Sequence, residues 1–232
     1  MHDKEGYKFF CFSNIFPAKD LKKNDIRTLI ISSPDKEFIG YLLQIFNRPW
    51  NKTVKVGKME FDIESTLVLE NRLPINGKYS IITGTPIIVR MNRNVYTKYG
   101  VKPRCDYDYL YWRTEYPVEM FLLQLEMNLQ KKYNDFHNLS QMRRANDPYR
   151  PSGPEDTAIP ALFQRAIFKK QISTRITMKG SEQIVIGTVW EFAFEGWEDR
   201  ELIQFALDAG LGERNSLGFG FMNLKKEMDP EC

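Results

Sequence analysis

The residues best suited to chemistry lie near the end of the chain, in Gly210-Leu211-Gly212-Glu213-Arg214-Asn215-Ser216-Leu217-Gly218-Phe219-Gly220. Four glycines in eleven residues flank a polar, cationic middle. Glycine permits positive φ and close backbone approach, and peptide N–H groups held by such a run can form an anion-binding concavity. The plainer reading is a helix-to-strand connection with a C-capping glycine and tight packing around Phe219. A nucleotide P-loop is excluded, because no Gly-Lys-Ser/Thr ending follows and the order is helix, loop, strand. A dinucleotide loop fails on the same order.

A second set of residues suits a polyanion. In a strand from Arg165 to Lys179, Arg165, Lys169, Arg175 and Lys179 alternate onto one face with Ile167, Gln171, Ser173 and Thr177. The other face carries Ala166, Phe168, Lys170, Ile172, Thr174, Ile176 and Met178, and is mostly apolar. Taken singly, each of these cations is a solvated side chain. Four on one face beside a glycine loop with Arg214 point to a nucleic-acid surface. The net charge of +3 is mild, but it is unevenly spread. Residues 143–179 hold eight basic and three acidic side chains, and residues 182–208 hold seven acidic and one basic. That segregation implies one cationic and one anionic surface. Tyr107, Tyr109, Tyr111 and Trp112 can stack on bases or pack a seam between domains, and packing is the preferred reading.

The acid–base inventory is thin. There are two histidines, His2 and His137. His137 falls where a helix should end, and a protonated imidazole there complements the helix dipole; that role is preferred over catalysis. Cys11, Cys105 and Cys232 are too widely spaced for a zinc pair or a disulfide framework, which suits the cytoplasm. No apolar run approaches the roughly 20 residues needed to span a membrane, and the charged N-terminus is no signal peptide.

These residues need elements to position them. With 42% hydrophobic and 13% aromatic residues, the chain can pack cores. Strands are expected at Tyr7 to Phe16 and Ile26 to Ser32, paired antiparallel. A helix follows, capped by Ser33 with Pro34 at its first position, then a strand from Met59 to Leu69. This block reads β-β-α-β. The second block has a strand from Tyr79 to Met91, bent near Gly84 and Pro86, and a polar stretch without clear period. A helix from Pro117 follows, with Val118, Phe121, Leu122, Leu125 and Leu129 on one face. After a loop over 138–160 come strands from Leu162 to Lys179 and Gln183 to Phe194. A helix from Glu198 to Ala209, the glycine loop and a strand from Phe219 to Leu224 complete β-α-β-β-α-β, the ferredoxin-like order. The fold class is α+β, with domains at 1–76 and 77–232.

The Gly210–Gly220 stretch resembles the C-terminal glycine-rich signature of the CRISPR repeat-processing endoribonucleases of the RAMP superfamily. Two further stretches extend the resemblance along the chain: Thr85-Pro86-Ile87-Ile88-Val89, and Phe9-Phe10-Cys11-Phe12-Ser13. The resemblance implies two tandem ferredoxin-like (RRM-like) domains and cleavage of repeat RNA without metal or other cofactor. In that reaction the 2′-OH attacks the adjacent phosphate, giving a 2′,3′-cyclic phosphate and a 5′-OH. It needs a base, an acid and a cation on the phosphorane. The resemblance also implies that Gly210, Gly212, Arg214, Asn215, Ser216, Gly218 and Gly220 contact RNA. The family's general-base histidine lies around the first helix of its first domain, and nothing here matches it. His2 falls at a different, non-catalytic position, so the catalytic residues are left unassigned. The first domain is expected to lack its opening strand and helix, leaving Met59–Leu69 without a partner and open to a second protomer. The expected partners are CRISPR repeat RNA, subunits of a CRISPR effector complex and a second copy of the chain. Cleavage is expected to be weak or absent. The rival reading is a non-catalytic guide-RNA-binding or scaffolding subunit.

Overall fold

The computed structural model describes residues 7–48, 53–56, 59–74, 77–103, 107–144, 162–163, 165–178, 180–195 and 200–225, with backbone alone for 139–144 and 178. The architecture is mixed α+β. Strands β1 (Cys11–Phe12) and β2 (Ile31–Ser32) pair antiparallel as expected, but each is two residues long. The ladder is interrupted because the Ile30 N–H donates to Ser13 Oγ rather than to a backbone oxygen. It resumes where Phe16 and Thr28 exchange both backbone hydrogen bonds.

Helix α1 (Lys36–Phe46) is capped by Asp35, whose carboxylate accepts from the N–H groups of Glu37 and Phe38. The expected cap, Ser33, instead donates to Phe9 O and accepts from the Asp35 N–H. Strands β3 (Thr53–Val56) and β4 (Met59–Asp62) form a hairpin. The expected Met59–Leu69 strand therefore stops at Asp62 and finds its partner within the chain. Beyond it Leu67, Val68 and Leu69 are 81%, 64% and 67% exposed. Among the described residues the first half contains only two-stranded pairings.

The second half is built around β5 (Tyr79–Thr83), which bends at Gly84 as expected. A Cβ on Gly84 would sit 2.7 Å from Asn223 Nδ2 and 2.8 Å from the Phe221 ring. The polar stretch that follows holds β6 (Arg90–Asn92), α2 (Arg93–Lys98) and β7 (Tyr109–Tyr111), with β6 and β7 paired antiparallel. Then come α3 (Val118–Arg144), β8 (Arg165–Met178), β9 (Ser181–Phe194), α4 (Arg200–Ala209), a 3₁₀ turn at Asn215–Leu217 and β10 (Met222–Leu224). One antiparallel sheet takes the order β10-β5-β9-β8.

Helices α3 and α4 cover one face of that sheet. Phe121, Leu122, Leu125 and Leu129 of α3 are buried, as their spacing predicts, and so are Ile203, Phe205, Ala206 and Ala209 of α4. They pack with Ile81, Trp190, Phe192 and Met222 in one apolar core. Phe121 stacks on Trp190 with ring centroids 4.9 Å apart. Helix α3 runs on to Arg144. His137 therefore lies within the helix rather than at its C-terminal end, and the dipole role expected for it does not apply.

Candidate nucleic-acid interface

Helix α4 ends on Gly210, whose N–H donates to Ala206 O and whose φ is +82°. The loop beyond it folds back on itself. Asn215, buried, donates through Nδ2 to Leu211 O at 2.9 Å and to Phe219 O at 3.0 Å. The Leu211 N–H donates to Gly220 O. The two ends of the loop are thus stapled by one side chain and one backbone bond. A Cβ on Gly220 would overlap Leu211 O, and one on Gly212 would overlap Ile88 O. These glycines are required by close approach, each at positive φ.

The three stretches that carry the family resemblance, far apart in sequence, meet at this loop. The Glu213 N–H donates to Ile88 O, the Gly220 N–H to Pro86 O, and the Phe221 N–H to Thr85 Oγ1. From the other side, Phe12 lies 2.8 Å from where a Gly218 Cβ would be, and Cys11 lies 3.0 Å from that of Gly210. The loop is therefore held by β1 and by the segment after β5. Gly210, Gly212, Asn215 and Gly220 are buried, while Arg214, Ser216 and Gly218 are partly exposed. Several N–H groups expected to cradle an anion are spent inside the fold, that of Gly218 on Asn215 O among them, so the side chains of Arg214 and Ser216 are what the loop offers a ligand.

Lys132 of α3 lies beneath the loop and is buried. Its Nζ donates to Gly210 O at 2.5 Å, Gly212 O at 3.1 Å and Asn215 Oδ1 at 3.0 Å. Three acceptors match the three hydrogens of an ammonium. Burial pushes its pKa down to about 7, against the pull of nearby Cys11 and Glu213 toward the charged form. Burial likewise pushes the Cys11 thiol up to about 12 and the Asp208 carboxyl up to about 6. Sequence reasoning missed Lys132. Its signal was a lysine three residues after Leu129, on the apolar stripe of a helix.

Arg214 adopts a left-handed conformation, φ +60°, and leads into the 3₁₀ turn. Its charge acts on Tyr111, whose phenol is nonetheless pushed up to about 12, first by burial and then by Tyr109. The neighbouring acid, Glu213, is engaged by Arg90 through both the backbone N–H and Nε. Tyr111 packs on the cluster of Ile88, Val185 and Phe219, and so does Ile176. The loop thus adjoins the far end of the β8–β9 hairpin.

The expected cationic ribbon does not form as one face. A β-bulge lies between Phe168 and Lys170. Arg165 stands opposite Ala193 and Arg175 opposite Ile184, an odd number of residues apart on β9, so the two arginines lie on opposite faces of the sheet. The expected split into a basic and an acidic surface fails too, because the hairpin lays the acidic strand beside the basic one. Arg165 pairs with Glu195, Lys169 with Glu191 at 2.9 Å, and Arg175 with Glu182 at 3.6 Å. Lys225 also reaches Glu191, and Lys78 also reaches Glu195. These two carboxylates are each bracketed by two cations, and the patch holding Lys78, Arg165, Lys169 and Lys225 keeps a cationic excess.

Lys179, His2, Cys105, Cys232 and residues 145–160 of the expected loop lie outside the described residues. His137 is exposed, its ring centroid 4.2 Å from that of Tyr133. Among the described residues, no group of three or more His, Cys, Asp or Glu could hold a metal, and no helix is long and apolar enough to cross a membrane.

The family model for CRISPR associated protein Cas6, C-terminal, matches residues 69–224, the region that holds the sheet, α3, α4 and the glycine loop. The chain belongs to the Cas6 family. It is 31% identical to CRISPR-associated endoribonuclease Cas6 2 of Methanocaldococcus jannaschii over 226 residues, covering 96% of this chain and 83% of that protein. It is 29% identical to CRISPR-associated endoribonuclease Cas6 of Haloferax mediterranei, covering 99% of this chain and 81% of that one. Among solved structures, a Cas6-related protein from Pyrococcus furiosus superposes with a TM-score of 0.63 at 22% identity, over 95% of this chain and 79% of that one. A structure described as a RAMP protein binding different RNA substrates gives 0.60 at 18% identity, over 94% and 80%. At these identities the structural likeness shows the fold.

Proposed function

We propose that this Cas6-family chain binds CRISPR repeat RNA and processes precursor CRISPR RNA without metal. One observation carries the reading: two distant stretches, β1 and the segment after β5, converge to hold a glycine loop that presents Arg214 and Ser216 at the surface, with Lys132 fixing it from below and Asn215 from within. The relatives it matches are named CRISPR-associated endoribonucleases. In the reaction, the substrate 2′-oxygen bonds to phosphorus and the 5′-oxygen leaves with a proton, giving a 2′,3′-cyclic phosphate and a 5′-OH. Arg214 is the cation for the RNA backbone, and the cations at Arg165 and Lys169 extend the path along one sheet face. Arg175, on the other face, meets a different part of the RNA or none.

The element order β5-α3-β8-β9-α4-β10 with sheet order β10-β5-β9-β8 supports reading residues 77–232 as a ferredoxin-like domain, with α2 and the β6–β7 pair inserted. Residues 1–76 are then a first unit of the same kind. The protein partners that follow are CRISPR effector subunits and a second copy of this chain, which would meet the exposed Leu67–Leu69 segment.

The acid and base are not assigned. The one described histidine, His137, lies exposed with its ring against Tyr133, and weak or absent turnover is expected. That same feature favours a second reading, a non-catalytic guide-RNA-binding subunit. Incubating repeat RNA with the protein in EDTA separates them. A cyclic-phosphate product supports the enzyme, tight binding with intact RNA supports the binding subunit, and no binding at low salt overturns both.

A further inference from the structure

We propose that the outward face of the β6–β7 pair is a stacking site for a base of single-stranded RNA, next to Arg214. The inference rests on the RNA-binding reading above. It begins from register. Arg90 stands opposite Tyr111, Asn92 opposite Tyr109, and Met91 opposite Leu110. Residues directly opposite share a face. Met91 and Leu110 are 0% and 8% exposed and belong to the core. Arg90, Asn92, Tyr109 and Tyr111 therefore form the other face. On a short pair of strands that face would ordinarily be polar, yet it carries two phenol rings and a guanidinium.

The group is ordered and accessible. Tyr109 is 39% exposed, and the Arg90 side chain is 43% exposed. The Arg90 guanidinium lies 5.1 Å from the Tyr109 ring centroid, and the Tyr109 and Tyr111 rings meet edge to face at 5.6 Å. Tyr111 is the inner wall, seated against Ile88, Val185 and Phe219. Trp112, the next residue, faces the core and packs on Phe121 and Trp190. Trp112 and one side of Tyr111 pack, though on residues of the second half rather than along a seam between domains, and that packing does not account for Tyr109.

Position supplies the ligand. Glu213 binds Arg90 from within the glycine loop, and the residue after it is Arg214, whose charge reaches Tyr111. A nucleotide on this face sets its base against Tyr109 and its phosphate toward Arg214. Aromatic and guanidinium planes stack on any base, so the site reads single-stranded character rather than sequence. A double helix, whose bases are already stacked, has no face to offer it.

The test uses the full chain and single-stranded oligoadenylate RNA. Tyr109→Ala weakens binding roughly 5- to 150-fold, the range that one stacked base supplies. Tyr109→Phe, which keeps the ring, binds as the wild type does. Tyr109→Ala leaves the salt dependence of binding unchanged, whereas Arg214→Gln flattens it by about one unit of slope. Wild-type affinity in Tyr109→Ala, or equal losses in Tyr109→Ala and Tyr109→Phe, overturns the stacking site and leaves the RNA-binding reading standing. A wild-type chain that binds neither oligoadenylate nor repeat RNA overturns both. An unchanged thermal midpoint in Tyr109→Ala is expected, and a large drop would assign the ring to packing instead.

Discussion

The glycine loop and the segment after β4 are both irregular, and they differ in what holds them. From Gly210 to Gly220 the chain is bound by Lys132, Asn215, β1 and the stretch after β5, with most of its backbone packed. From residue 63 to residue 69 the chain adds no ladder pairs, and three large apolar side chains face solvent. Absence of regular structure therefore says little about rigidity. Hydrogen-bond partners and contact with other elements decide it.

Breaking the tight loop should produce the largest effects. Gly220→Ala places a methyl group on Leu211 O at φ +71°, which combines left-handed strain with a backbone overlap. A loss on the order of 4 kcal/mol or more is expected from thermal or denaturant unfolding. Lys132→Met comes next, since it leaves three oxygens without their donor. A loss of about 2–4 kcal/mol is expected. Its pH signature is specific. Lys132 has a folded pKa near 7 against an ordinary 10.5, so between those values the unfolded chain holds the extra proton and stability rises with pH. Lys132→Met should lose that rise, measured as unfolding free energy from pH 7 to 10.5.

Substitutions in the first half sharpen the contrast. Asp35→Ala removes two accepted hydrogen bonds at the start of α1 and should cost about 1 kcal/mol. Hydrogen exchange should show that loss within α1, with α3 and β9 unchanged. Val68→Asp should move stability by less than about 0.5 kcal/mol, because that residue is 64% exposed.

Legibility in the sequence followed the length of each pattern. The buried stripe of α3, the β8–β9 hairpin, and α4 with its glycine C-cap were legible because each repeats its period several times. The six residues of α2 and the three of β7 are too few to establish one. The bulge in β8 was hidden by assuming unbroken alternation, although Lys170 on the apolar face marked the break. At the loop, the glycines and Arg214 were legible from composition. The partners that make the loop rigid were not, since Lys132, Ile88 and Phe12 come from elements whose approach depends on tertiary packing.

The glycine loop, held from below by Lys132, is proposed to present Arg214 to an RNA backbone. Binding of repeat RNA over a series of salt concentrations, for the wild type and for Arg214→Gln, tests it most directly. Loss of one phosphate contact predicts weaker binding and a salt slope shallower by about one unit. Identical affinities and identical slopes for the two proteins would contradict it.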